Sequence, residues 1–211
     1  MENNSETVTN WQQHVVDYTP WMQWVIDWNN KASPGKEYTQ ADIDNQWKLV
    51  EEEFKELEEA YDKKSGTAFY KELSDLFVVA SFYEHVTNPD TVATTIFSDR
   101  IEMLLGDIRQ NLESRSSSLF SNVLILMNSV NVNSLSRAMI ATLKSNDTKF
   151  FRWEFQDMEL SWALEAHGDR YNGIHVKRTI DGLATLRDEN NKILKPSTYQ
   201  PHTEFLRWVN V

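Results

Sequence analysis

The stretch from Phe69 to Val86 sets the strongest limit on the fold. Phe69, Tyr70, Leu73, Leu76, Phe77, Val78, Val79, Ala80, Phe82, Tyr83 and Val86 occupy nearly every direction around a helix. A helix that is apolar almost all round has little face to give to solvent, so it must be central and sheathed by other elements. The preceding segment supplies one partner. Ile43, Trp47, Val50, Phe54, Leu57 and Tyr61 recur at alternating steps of four and three, the spacing of one amphipathic stripe. Thr39 with Asp42 three residues on reads as a variant capping box opening that helix. Lys63-Lys64-Ser65-Gly66 closes it, with basic residues in the last turn and a glycine suited to a left-handed cap. Thr67 then opens the apolar helix, and so short a turn predicts an antiparallel pair.

The rest of the chain continues mostly at helical spacing. From Trp11 to Lys31, Val15, Val16, Trp21, Trp24, Val25 and Trp28 form a stripe, with Pro20 placed to start a second helix. Ser33-Pro34-Gly35-Lys36 breaks it. After Asn88-Pro89, two helices are expected, one bearing Val92, Ile96, Ile101, Leu104, Leu105 and Ile108, the other Leu119, Phe120, Val123, Leu124 and Leu126. Arg115-Ser116-Ser117-Ser118 separates them. Asn133 is expected to cap a further helix with Leu135, Met139, Ile140 and Leu143, ending at Lys144-Ser145-Asn146-Asp147. A polar and aromatic segment, Phe150 to Ala166, precedes a change to alternation around Asp181-Gly182, a hairpin signal flanked by Ile174, Val176, Leu183 and Leu186. Pro196 and Pro201 punctuate an extended tail. The expected fold class is all-α: an antiparallel helical bundle with a small C-terminal β-hairpin and extended tail. Residues 1–166 form the bundle, with inserted helices at about 87–132, and 167–211 complete the same domain.

Composition removes several function classes. The chain has 21 basic and 32 acidic residues, a formal charge of -11, so a nucleic-acid polymer or an anionic membrane surface would on balance repel it. A small polyanion held through metal ions is compatible, because bound cations invert the field of a carboxylate cluster. There is no cysteine, which excludes disulfides, thiolate zinc sites and a cysteine nucleophile. No run approaches the ~20 apolar residues of a membrane span, and the N-terminus lacks a signal-peptide pattern. A soluble, cytoplasmic protein is expected. None of His14, His85, His167, His175 and His202 forms a close pair at metal-ligand spacing, and no glycine-rich phosphate loop, dinucleotide fingerprint or nucleophile elbow is present.

What remains is carboxylate chemistry. Glu53 with Glu56, and Glu72 with Asp75, each lie three apart on one helix face. Packed antiparallel, the two acidic edges can meet. Four hard oxygen donors suit Mg²⁺, which keeps several waters and completes its shell with substrate phosphates. On a helix this rich in glutamate, Glu53 and Glu56 taken alone read first as a solvated face. Glu72 and Asp75 are set in an apolar helix, where an unpaired carboxylate costs several kcal/mol or becomes neutral, so they need partners.

These residues resemble a known family. Glu53-x-x-Glu56, fifteen intervening residues, then Glu72-x-x-Asp75 looks like the ExxE…ExxD signature of MazG-like all-α nucleoside triphosphate pyrophosphatases, related to phosphoribosyl-ATP pyrophosphohydrolase and the dimeric dUTPases. Ser145-Asn146-Asp147-Thr148-Lys149 is similar to the SNxxK element of phage-type members. The run from Asn191 through Lys195, Pro196 and Tyr199 to Pro201 is similar to their C-terminal tail, with Asn191 in place of the usual glycine. Asn tolerates the left-handed region better than most residues, so the turn is expected to survive.

The resemblance implies that Glu53, Glu56, Glu72 and Asp75 bind Mg²⁺, or Mn²⁺ in its place, and that Asn146, Lys149 and Lys195 contact phosphate. It implies hydrolysis of a nucleoside triphosphate, a deoxynucleotide first, to monophosphate and pyrophosphate, with Glu53 or Glu56 activating water. A homodimer is the first expectation for assembly. Trp47, Trp11 and the 87–132 segment are candidates for base contacts. The competing expectation is a helical nucleotide-binding or regulatory protein that keeps the scaffold without turnover.

Overall fold

In the computed structural model, which describes residues 16–95 and 100–201, α3 (Gly66–Thr87) lies at the centre as its composition requires. Leu73, Leu76, Phe77 and Ala80 are buried on it. Around it pack α1 (Thr19–Ala32), α2 (Gln40–Asp62), α5 (Leu119–Asn128) and α6 (Val132–Asp147). α4 (Ile101–Ser114) packs on α5. α2 and α3 run antiparallel: Tyr61 meets Phe69 at the turn, while Trp47 meets Tyr83 at the far ends. Fully burying each large apolar side chain along this seam contributes ~1.5–3 kcal/mol. The fold is thus mostly helical, with seven α-helices among the described residues and a small antiparallel sheet toward the C-terminus.

That sheet is larger than a hairpin. β4 (His175–Arg178) and β5 (Leu183–Arg187) pair as expected, and both Asp181 and Gly182 in their turn have positive φ. β3 (Phe151–Arg152) pairs with the first half of β5 and β6 (Ile193–Leu194) with the second, sharing the edge opposite β4. α7 (Gln156–His167) covers this sheet through Ala163, forming a second, smaller apolar cluster with Phe151, Ala184, Leu186 and Leu194. Another short pair, β1 (Val16–Asp17) with β2 (Thr94–Thr95), closes the entry to α1 against the exit from α3.

Several local expectations shift. Val16 is in a strand rather than a helix, while Pro20 stands in the first turn of α1 as expected. Lys64, not Gly66, takes the left-handed conformation after α2, with φ 53°, and Gly66 already begins α3. Val92 is exposed in the extended run before β2, so the helix expected there starts only at Ile101. Asn131 rather than Asn133 caps α6, its side chain accepting from the Ser134 N–H at 3.0 Å. The segment from Phe150 to Ala166 holds β3 and α7, which carry no apolar stripe because the inward face of α7 includes Glu159. Trp11, His14, Val15, Ile96, His202 and the outer ends of the two expected regions lie outside the described residues. Among the described residues no helix is long and apolar enough to cross a membrane.

The start of α2 is fixed as its sequence predicts. Thr39 Oγ1 accepts from the Asp42 N–H, and Asp42 Oδ2 accepts from the Thr39 N–H at 3.0 Å. The Lys36 ammonium, together with the Thr39 donors, holds the Asp42 carboxyl down to about 2. A carboxyl whose folded value is depressed adds stability above its ordinary 3.8, and that stability is lost as pH falls through about 2. Thr39→Ala should cost ~1 kcal/mol in urea melts at pH 6. Asp42→Asn should also be less stable than wild type at pH 6, with the difference closing as pH falls from 4 to 2.

Candidate functional site

The α2–α3 pairing brings the two acidic edges together. One carboxylate oxygen from each of Glu53, Glu56 and Glu72 lies within 4.8 Å of the others, with Glu53 and Glu72 half-buried and Glu56 exposed. Asp75 stands one turn further along α3, and its negative charge is felt at Glu53. Lys71 sits between Glu72 and Asp75. Its ammonium donates to both oxygens of Glu72, at 2.8 and 2.9 Å, and lies 3.3 Å from Asp75 Oδ2. Burial pushes the Glu53 carboxyl up to about 8, helped by Asp75, Glu56 and Glu72 and opposed by Lys71. Burial also raises Glu72, with its ion pair to Lys71 pulling the other way. Acidic groups crowded at the margin of an apolar core are short of positive charge.

The residues fit a hard divalent cation. Every donor is a carboxylate oxygen, three of them already converge, and Glu53 is held near its neutral form by burial and by its acidic neighbours. A Zn²⁺ site of the nitrogen-and-sulfur kind does not fit. The described histidines are elsewhere: the His85 ring lies tilted beside Phe82, His167 Nε2 meets the Lys195 carbonyl, and His175 meets the Gly173 carbonyl.

Beside the carboxylates opens a cavity of about 560 Å³, within the range that takes small-molecule ligands. Glu53 belongs to its wall, as do Asn146 and Lys149 at the end of α6 and Lys192 before β6. The cavity follows α2 back to Lys36 and Asp42, roughly 16 Å along the helix axis from Glu53. Its apolar lining includes Trp28, Ile43, Val78, Val79 and Phe82; Tyr38, Asn29 and Gln46 supply polar atoms. Gln46 Nε2 donates to the Val79 carbonyl at 2.9 Å, which fixes the direction of its amide.

Lys149 and Lys192 stand at the end of the cavity nearer the carboxylates, while Lys36 lines the far end. Lys149 is half-buried, its Nζ 5.8 Å from the Trp28 ring centroid. Burial draws its pKa down, Asp75 and Glu53 draw it up, and neighbouring Lys195 and Lys192 draw it down again. Lys195 itself is exposed and does not line the cavity; its Nζ lies 4.8 Å from the Tyr199 ring centroid. The tail that carries them is anchored. The buried Glu159 carboxylate accepts from the Ser197 N–H at 2.7 Å and from its hydroxyl at 2.6 Å, and Ser145 Oγ hydrogen-bonds the Tyr199 hydroxyl and donates to the Gln200 carbonyl. Asn191 takes φ 63°, so it does occupy the left-handed turn position. Arg187, only 4% exposed, bonds the Ala32 carbonyl and Ser33 Oγ at the end of α1 and the Asn191 carbonyl in the β5–β6 turn. That guanidinium ties the sheet to the helices across the cavity.

Two base-contact candidates stand away from this cavity. Trp47 is 1% exposed in the core, its Nε1 donating to Glu51, and it does not reach the cavity. None of the described residues of the 87–132 segment lines the cavity either; α4 and α5 instead brace the back of the α2–α3 pair. Phe120 packs on Phe77, while Arg109 pairs with Glu58 and Arg115 with Asp44. Sequence reasoning missed Lys71, Tyr38, Gln46 and Arg187, and it favoured packing over ligand contact for the stripe that holds Trp28. Lys71 alone carried a signal, being a cation inside the acidic motif. No family model, no curated protein and no solved structure matches the chain.

An acid whose folded pKa is raised above its unfolded value of 4.5 opposes folding once it ionises in the unfolded chain. Between 4.5 and about 8 the native state holds one more proton, so Glu53 makes stability fall as pH rises through that window. In EDTA, thermal melts should therefore show Glu53→Gln more stable than wild type at pH 8.5, with the gain vanishing near pH 4.5. Equal stabilities at pH 8.5 would show that Glu53 is not held neutral.

Proposed function

We propose that this protein is a Mg²⁺-dependent nucleoside triphosphate pyrophosphohydrolase, on an antiparallel helical bundle of the MazG-like kind. One observation supports this above others: Glu53 belongs at once to the converging carboxylates and to the cavity wall that Asn146 and Lys149 share. Acidic donors for a cation, basic donors for phosphate and a partly apolar cavity for a nucleoside thus adjoin one another. Mn²⁺ would serve as a substitute of similar hardness.

In this reading Glu53, Glu56, Glu72 and Asp75 hold the metal, which when bound offsets phosphate charge and makes a nearby water more acidic. Glu53 or Glu56 takes the proton from the attacking water. The water oxygen bonds to the α-phosphorus, the bond to the α,β-bridging oxygen breaks, and pyrophosphate leaves with that electron pair. Lys149 and Asn146 hold the departing phosphates, with Lys195 beside them, so that charge built up on the leaving group is met by fixed donors. Trp28, Val78 and Val79 give the nucleoside an apolar wall, and Gln46 presents a fixed amide to its edge. The net negative charge of the chain favours a small nucleotide over a nucleic-acid polymer. A homodimer and a cytoplasmic setting belong to the same proposal.

The second reading, a binding protein without turnover, has one observation in its favour: the Lys71 ammonium already satisfies Glu72 and Asp75. A panel of ribo- and deoxynucleoside triphosphates assayed with Mg²⁺ and with EDTA separates the two. Pyrophosphate released from at least one nucleotide, and none in EDTA, is expected. Melting temperature raised by nucleotide with no product would favour the second reading; neither product nor stabilisation would end both. Asp75→Asn and Glu56→Gln should each lower kcat by ~10²-fold or more while leaving the far-UV spectrum unchanged. Lys149→Met should fall mainly in kcat/KM.

A further inference from the structure

Lys71 lies where a cation would reach Glu72 and Asp75. Its ammonium nitrogen lies 2.8 and 2.9 Å from the two Glu72 oxygens, donating to both, and 3.3 Å from Asp75 Oδ2 in an ion pair. Both Glu72 oxygens are engaged from the same side. A divalent ion at 2.0–2.1 Å from those oxygens, the distance Mg²⁺ demands, cannot share that side with an ammonium. Two like charges there would also repel across a half-buried site, where they are poorly screened. The competition is between two cations for one pair of ligands.

Two features make Lys71 a displaceable competitor. It is joined to α3 by a flexible four-carbon stem, so it can leave without moving the backbone. Its side chain is 29% exposed, against 12% for Glu72 and 15% for Asp75, so the route outward is open while the carboxylates stay in place. Once released beside a divalent ion, the ammonium is repelled from the carboxylates and needs a new anion. A polyphosphate at the same mouth supplies it.

We propose, resting on the metal-dependent reading above, that Lys71 is a built-in counter-ion for Glu72 and Asp75 that a divalent cation must displace. It then passes its charge to the nucleotide phosphates, so that metal and nucleotide bind cooperatively. In the absence of metal, Lys71 neutralises part of the acidic cluster and disfavours capture of a lone cation. With both ligands present it contacts substrate. Lys71 is thereby a linkage residue: the same interaction that weakens metal binding alone strengthens binding of the pair, and the coupling works equally in both directions.

The test reads metal binding without nucleotide. In calorimetric titrations with Mg²⁺ alone, Lys71→Met should bind about tenfold more tightly than wild type, in the middle of the usual range for coupled sites. Lys71→Arg, which keeps the charge, should bind no more tightly than wild type. A Lys71→Met affinity equal to or weaker than wild type would overturn the role of Lys71 while leaving the metal site standing. No Mg²⁺ binding by any of the three proteins would remove the metal reading and this inference with it. Wild-type protein gives a check that needs no variant: acetic anhydride should label Lys71 several-fold faster in Mg²⁺ than in EDTA. Unchanged labelling would equally contradict displacement.

Discussion

Carboxylates gathered at the edge of an apolar core need a counter-charge, and the pairing of α2 with α3 creates that need. The same seam that buries Trp47, Val50, Phe54, Leu57, Leu73, Leu76 and Phe77 carries Glu53, Glu56, Glu72 and Asp75 along one margin. Core packing fixes the acidic groups far more firmly than their own repulsion can separate them, because moving either helix would open a void among close-packed side chains. The result is a local excess of negative charge, which adds to burial in raising the Glu53 carboxyl and holds Lys71 in an ion pair. Everything else near the site responds to that excess.

The response comes from distant parts of the chain. Lys149 arrives from the end of α6, Lys192 and Lys195 from the β5–β6 turn and tail, and the segments that carry them are held by hydrogen bonds away from the carboxylate cluster. Ser145 holds Tyr199 and Gln200, Glu159 holds Ser197, and Arg187 joins the end of α1 to the β5–β6 turn. The small sheet thus places Lys192 on the cavity wall and Lys195 near Lys149. Breaking a buried tie such as Glu159 with Ser197 would leave a buried carboxylate unpaired, which is costly. α4 and α5 work from the other side, stiffening the α2–α3 pair without entering the cavity.

What the sequence revealed follows the physics of each element. The α2 stripe, its Thr39–Asp42 cap, the all-apolar α3 and the Asp181-Gly182 turn are local patterns, and local patterns can be read in one dimension. The meeting of Glu53, Glu56 and Glu72 was legible because helix periodicity and a short turn leave two edges little choice. α7 was not legible: its inward residues are Ala163 and Glu159, and a buried glutamate satisfied by Ser197, 38 positions away, looks like a surface residue. Trp47 and Trp28 show the same limit. Both are tryptophans on helical stripes, yet one is sealed in the core by α3 and the other faces the cavity, a difference set by where α1 and α6 dock. Arg187 was invisible for the same reason, since its partners lie some 150 residues earlier.

If the carboxylates, the cavity and the basic end form one ligand site, they should respond together to one ligand. Hydrogen–deuterium exchange with Mg²⁺ and a deoxynucleoside triphosphate whose α,β-bridging oxygen is replaced by NH measures this directly. Protection is expected jointly in residues 46–56, 71–79, 146–149 and 187–193, with α4 unchanged. Protection confined to α4 or α7, or in only one of those four stretches, would contradict a single site built on the α2–α3 seam.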